Sequence, residues 1–413
     1  MQPYAQILFQ VSMTELQLRG EYTYKEMVSV FSCIRMQCPK LRHLSLYWIS
    51  QKDEPEGTGL AEPADQEASQ LVADLKGLVS FSIDMYDLYG WSTAIIVSLG
   101  SLTHLTSLKL AAPWYFRCPM QLYEKTTLPF PVLQELTMYE RHEQIEEVAK
   151  LIKAIYSPHL HTIKLDVHVK SMQHVPCIME AVGGHSSLRL LDLGISNYAD
   201  EEVVLNTNQI QSIPELYQLT DFTLEVLGGS VSVDAVRAMG RSWPRLCRLD
   251  IYQSYETLSL FHSYDALDFS NICDLVQDCP DLSHLRIHCS VLGLEDDDVM
   301  LQYTNGSVTP CSQLKVLNII ASNIGEGEDA VVRTAAALKA VFPDLQELVY
   351  DTGFAAEEPA SPFTDMRPAD SLPTGEEAAT PPVNGYDIIS NEAHRRAKQW
   401  KLVANALGLV RHA

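Results

Sequence analysis

Cys38-Pro39-Lys40-Leu41-Arg42-His43-Leu44-Ser45-Leu46-Tyr47 is the stretch on which the fold turns. It joins a proline to a Leu-x-x-Leu-x-Leu triad that begins two residues later. With close apolar substitutes the triad recurs twelve times, from Met13, Leu41, Leu78, Leu105, Leu133, Leu160, Leu188, Leu219, Leu246, Leu282, Leu314 and Leu345, at intervals of 27 to 37 residues. In a chain with 46% hydrophobic residues, three fixed positions are all apolar about one time in ten by chance, so a single triad decides nothing and twelve in near-register fix an architecture. The proline precedes the first apolar position by two at Pro39, Pro131, Pro158, Pro244, Pro280 and Pro343. Its ring cannot continue a helix and biases the residue before it toward an extended conformation, so the chain passes from helix end to strand.

Between triads the apolar period changes from 2 to about 3.6. Met27, Val30, Phe31 and Ile34 share a helical face, as do Ile145, Val148, Ile152 and Ile155, and Ile272, Leu275, Val276 and Cys279. Each repeat is then a strand, a loop, a helix and a return. One such unit cannot bury its apolar face alone, so the units stack. Parallel strands stack about 4.8 Å apart and helices roughly 10 Å, which bends the stack with the strands inside. The expected fold is α/β: a curved solenoid, or horseshoe, of about 12 irregular strand–loop–helix repeats over residues 1–352, with the parallel sheet on the concave side. Residues 353–386, rich in Pro, Ala, Glu, Ser and Thr, read as an acidic disordered linker. A C-terminal helix over 387–413, with a stripe of Ala393, Ala397, Trp400, Ala404 and Leu407, is expected either to cap the open sheet edge or to bind a partner.

Residues 13–352 resemble a leucine-rich repeat domain of the ribonuclease-inhibitor-like superfamily. With the Cys-Pro-x-Leu of Cys38 to Leu41 and of Cys279 to Leu282, the irregular repeats are similar to the repeat half of fungal F-box/leucine-rich-repeat proteins. In that family an F-box docks onto Skp1 and the repeats select the substrate. The resemblance therefore implies a substrate receptor of an SCF-type ubiquitin ligase, with Skp1 and cullin as partners only if an F-box lies upstream; here Met13 to Leu18 already reads as a repeat strand. Two other readings stay open: a stand-alone repeat scaffold with no ubiquitin role, and a GTPase-activating leucine-rich-repeat protein.

A net charge of −23 argues against nucleic acid or an anionic membrane as the main partner, since both rely on basic patches. No basic start followed by an apolar run opens the chain, and no stretch approaches the ~20 apolar residues of a membrane helix, so a cytoplasmic or nuclear location is expected. Nine cysteines without a C-x-x-C suggest neither zinc nor a disulfide framework, and Cys38 and Cys279 read as core residues. The acidic runs Asp53–Glu67, Glu295–Asp298 and Glu326–Asp329 read as solvated loops, and Glu295–Asp298 lacks the alternate spacing of a calcium loop. His159, His161, His168 and His174 have no Cys or carboxylate at ligand spacing. With no nucleophile elbow, Walker loop or dinucleotide turn, the expectation is a non-enzymatic protein without cofactor, metal or small-molecule substrate.

The register of the triads also predicts a binding face. Residues at offsets +2, +4 and +6 alternate away from the core toward the concave side. They include Tyr47, Tyr139, Asp166, Asp250, Tyr252, Arg286 and His288. Loops after the strands are expected to add an aromatic rim of Trp48, Tyr86, Trp91, Trp114 and Tyr115, the residue types that anchor protein interfaces. Protein–protein recognition on this face is the expected role.

Overall fold

The structure is a computed structural model that describes residues 11–50, 61–86, 93–112, 127–140, 145–169, 171–197, 203–210, 216–227, 229–253, 267–288, 303, 309–320, 324, 327–351 and 385–409. It divides into two compact units, Met1–Tyr264 and Asp265–Ala413, a boundary that falls inside the repeat region read as one domain.

In the first unit nine strands lie side by side, all parallel: β1 (Glu15–Tyr22), β2 (His43–Ser50), β3 (Ser80–Tyr86), β4 (Ser107–Ala112), β6 (Glu135–Glu140), β8 (Thr162–Val169), β9 (Leu190–Asn197), β11 (Asp221–Leu227) and β13 (Arg248–Gln253). Their crossovers carry α1 (Tyr24–Gln37), α2 (Ala61–Asp74), α3 (Thr93–Gly100), α4 (Ile145–Ala154), α5 (Val175–Gly183), α6 (Thr207–Ile210) and α7 (Val233–Ser242). Two small two-stranded sheets, β5 (Leu128–Pro129) with β7 (Ile155–Tyr156) and β10 (Val203–Leu205) with β12 (Gly229–Val231), complete the unit. The second unit holds α8 (Phe269–Asp278), β14 (His284–His288), β15 (Val316–Ile320), α9 (Glu328–Val341), β16 (Glu347–Asp351) and α10 (Gly385–Ala406), with its strands in the order β14-β15-β16. Each of the twelve triads thus opens a parallel strand two residues after its first apolar position, the arrangement of a leucine-rich-repeat solenoid.

The backbone shows how the register is held. Cys38, Trp243, Cys279 and Phe342 donate their N–H groups to the carbonyl four residues back, then accept at their own carbonyls the N–H of Leu41, Leu246, Leu282 and Leu345. Proline occupies the second position of each of these turns, where its fixed φ is favoured. At the next step one carbonyl of each repeat accepts two amides of its neighbour: Thr14 from Arg42 and His43, Arg42 from Val79 and Ser80, and so on to Thr220, which serves Cys247 and Arg248. Ser283 and Lys315 do the same in the second unit. This shared carbonyl pins every strand at the same offset, so Leu16, Leu44, Phe81, Leu108 and Leu136 fall in line across the sheet.

Residues at odd offsets face the helices and are buried, as in Phe222, Leu224 and Val226 of β11. The slot three residues before the first apolar position is also buried, filled by Cys38, Leu75, Phe130, Leu216, Trp243, Cys279 and Phe342. Cys38 and Cys279 are free thiols there, and burial pushes the Cys279 thiol up to about 12. Two repeats put a polar residue in the slot and satisfy it. The Ser157 hydroxyl donates to the Leu133 carbonyl at 2.7 Å, and His185 Nε2 lies 3.1 Å from the Ile152 carbonyl. Ile152 is in the last turn of α4, where carbonyls lack helical partners, so His185 supplies the missing donor from the next repeat.

The expected helical faces of α1, α4 and α8 are buried, with one difference: α4 ends at Ala154, and Ile155 joins the short strand β7. The acidic runs depart further from the reading as loops. Residues 61–67 begin α2, and Glu67 pairs with Arg35 of α1 at 3.2 Å, while Glu328 and Asp329 form the first turn of α9, where the helix dipole favours negative charge. Glu295–Asp298 lies outside the described residues, as does the linker apart from residues 385–386, which belong to α10.

Candidate partner-binding face

On the side of the sheet away from the helices, three rows of outward residues run across the strands of the first unit. The +6 row is continuous in register: Arg19, Tyr47, Asp84, Ala111, Tyr139, Asp166, Gly194, Glu225 and Tyr252. Neighbours in these rows lock one another. The Arg19 guanidinium sits 4.6 Å from the centre of the Tyr47 ring, and the Lys109 ammonium 5.0 Å from that of Tyr139. Such cation–π contacts hold the rings in fixed orientations on an otherwise solvent-facing surface.

Toward β9 the face turns acidic. Asp166, Asp192, Glu225 and Asp250 stand on four adjacent strands, and burial, with Asp166 and Asp250 nearby, raises the pKa of the Asp192 carboxyl despite the opposing pull of Lys164. Gly194 lies between Asp166 and Glu225 in the row. A Cβ there would come within 3.2 Å of Asp166 Oδ1, so glycine leaves that carboxylate its space. Asp250 is only 8% exposed and accepts two bonds on one oxygen from Arg248, at 2.9 Å from Nε and 2.7 Å from Nη2. At the other end of the unit, Glu15, Gln17, His43, Ser45, Ser80 and Ser82 line an open hollow of about 390 Å³ floored by small hydroxyl side chains.

Of the residues expected on the face, Tyr47, Tyr139, Asp166, Asp250 and Tyr252 occupy one surface of the first unit, and Arg286 lies on β14 of the second, with His288 at the end of the same strand. Trp48 and Tyr86 are strand residues of β2 and β3, not loop residues, because these strands run longer than the triads imply. Trp91, Trp114 and Tyr115 lie outside the described residues. The sequence reading passed over Arg19, Lys109, Asp192 and Gly194. Each sits at an even offset from its own triad, so the register that found Tyr47 also contains them.

Among the described residues no three His, Cys, Asp or Glu side chains are placed to hold a metal ion. Two histidines of the sixth repeat have other partners: His161 Nδ1 lies 3.0 Å from Thr162 Oγ1, and His174 Nδ1 lies 3.4 Å from Glu146 on α4 of the preceding repeat. No described helix is long and apolar enough to cross a membrane.

The chain is similar in structure to a chain of the yeast Rad7 and Elc1 complex. The superposition with that crystal structure has a TM-score of 0.36 at 12% identity and covers 78% of this chain and 80% of the other. No family model and no curated protein matches the sequence.

Proposed function

We propose that this is a non-enzymatic recognition protein that binds a protein partner across the outward rows of its sheet. The observation that carries the reading is the +6 row, in which tyrosines held by Arg19 and Lys109 alternate with carboxylates on parallel strands. Immobilised aromatics lose little entropy on binding, and carboxylates beside them select basic groups on the partner. A strand face dedicated to solvation alone would have no use for such ordering. Tyr47→Ala with Tyr139→Ala tests the proposal: affinity purification followed by mass spectrometry should lose the partners that the wild-type chain retains, with cooperative melting kept and the melting temperature lowered by only a few degrees, as expected for half-buried side chains outside the core. An unchanged partner list rejects the reading, and a collapsed melting temperature makes the rings structural.

The narrower form of the proposal is a substrate receptor of an SCF-type ubiquitin ligase, located in the cytoplasm or nucleus. Skp1 and cullin among the purified partners would support it. Their absence, with other partners retained, would favour a stand-alone scaffold, and a small GTPase in their place the activator.

A further inference from the structure

The turns that close the repeats also line up along one edge of the first unit, at the starts of the strands. The residue after each triad's first apolar position joins a backbone ladder: the Arg42 amide donates to the Thr14 carbonyl, that of Val79 to the Arg42 carbonyl, and so on through His161, Arg189 and Thr220 to Cys247. With strands about 4.8 Å apart, Arg42 and Cys247 stand seven rungs, or roughly 34 Å, from one another. These residues, and the two turn residues before each first apolar position, are exposed or half-buried.

The edge is segregated in charge. Acidic residues outnumber basic ones 53 to 30 in the whole chain, yet at these three positions in the nine repeats of the first unit there is no Asp or Glu. Lys40, Arg42, Lys76, Arg189 and Arg245 stand there instead, all exposed, and among the described residues none of the five forms an ion pair. In the second unit the same positions include Asp281 and Asp344. Helix dipoles do not account for the five cations, because that pull falls off within the last helical turn and these residues follow it. Arg35, which does lie in a last turn, is paired with Glu67 and Asp74. An aromatic side chain stands on the same edge. Tyr217 is 62% exposed, and the turn that carries it lies between the turns that carry Arg189 and Arg245. Tyrosine and arginine are the residue types in which interface energy concentrates.

We propose that this edge is a second recognition surface, distinct from the outward rows of the sheet, and that it docks an extended acidic segment of a partner protein. Carboxylates of the segment meet the five cations, and an apolar side chain of it packs on Tyr217. About ten residues of extended chain span the ladder at ~3.3 Å per residue. Nucleic acid suits the edge less well: duplex DNA carries a charge every ~1.7 Å and so meets the repulsion of a chain of net charge −23 along its whole length, whereas a short peptide brings few charges.

The test uses the full chain and, as probe, a fluorescein-labelled peptide of about ten residues, Glu and Ser with one central Leu, followed by anisotropy at low salt. The wild-type chain should bind it, and less tightly as salt rises. Arg189→Glu with Arg245→Glu should weaken binding about tenfold and Tyr217→Ala about fivefold, with cooperative melting kept because all three side chains are exposed. Lys40→Glu with Lys76→Glu repeats the test from the other end of the ladder. Tyr47→Ala with Tyr139→Ala should leave probe binding unchanged, so the edge and the sheet face stand or fall separately. No binding by the wild-type chain, or binding that both charge reversals leave intact, overturns the proposal. So does binding indifferent to Tyr217→Ala, which would reduce the edge to a diffuse positive field. A single-stranded oligonucleotide that displaces the probe at a lower concentration than the unlabelled peptide would also overturn it, in favour of nucleic acid.

Discussion

Two buried or half-buried titratable groups set opposite pH responses. Burial lowers the pKa of His185, and only its bond to the Ile152 carbonyl opposes this. The unfolded chain titrates this residue near the ordinary value of about 6.5. Below that pH the unfolded state takes up a proton that the folded state refuses, so the stability present above pH 6.5 is lost as the pH falls, with a slope of up to about 1.4 kcal/mol per unit. His185→Leu should remove this part of the acid sensitivity, and it should cost about 1–3 kcal/mol at neutral pH by leaving the Ile152 carbonyl without its partner. Urea denaturation at pH 7.5 and 5.5 measures both. Asp192 works the other way. Its folded pKa is raised, so its contribution is present below the ordinary carboxylate value and lost as the pH rises through the folded one. Asp192→Asn should therefore melt higher than wild type at pH 7 and no higher near pH 3.5; a variant that melts lower at pH 7 would show that the charge is repaid by bonds of its own.

At the scale of the element, starts and stops carry much of the definition. Thr23 and Glu26 cap α1 reciprocally: the Thr23 amide donates to Glu26 at 2.9 Å and the Glu26 amide to the Thr23 hydroxyl at 3.3 Å. The Thr23 amide and, after it, the Thr23 hydroxyl, which donates to the same carboxylate oxygen at 3.1 Å, hold the Glu26 carboxyl below its usual range. Thr23→Ala should cost about 1 kcal/mol in chemical denaturation, and the Glu26 titration followed by NMR should shift upward but not return fully to normal, since the backbone donor remains. After α10 the Gly408 N–H donates to the Asn405 carbonyl, and the φ of 70° at Gly408 turns the chain so that the Leu409 N–H reaches the Ala404 carbonyl. The sequence announced the Pro-closed turns, because proline leaves the chain few options. It did not announce that Leu75, His185 and Leu216 make the same turn with Leu78, Leu188 and Leu219 without one. There the buried slot and the shared carbonyl hold the geometry, and neither is a local property.

For the whole molecule, the twelve triads determined where twelve of the described strands begin, their parallel direction within each unit and the residues that face inward; the short strands β5, β7, β10 and β12 have no triad. Period 2 with a fixed spacing admits few other solutions once every unit must bury one face against its neighbour. The same register sorted Tyr47, Tyr139 and Tyr252 onto one surface. What the tertiary structure alone decided is which of those residues act together. Arg19 meets Tyr47, and Lys109 meets Tyr139, only because strands from successive repeats come side by side. His185 reaches a carbonyl 33 residues earlier for the same reason. α10 packs on α9 and β16, a pairing that no periodicity within a repeat specifies. Periodicity is written within a repeat and can be read there; contacts between repeats depend on which side chains the shared offset brings opposite one another, and that is settled only when the strands stack.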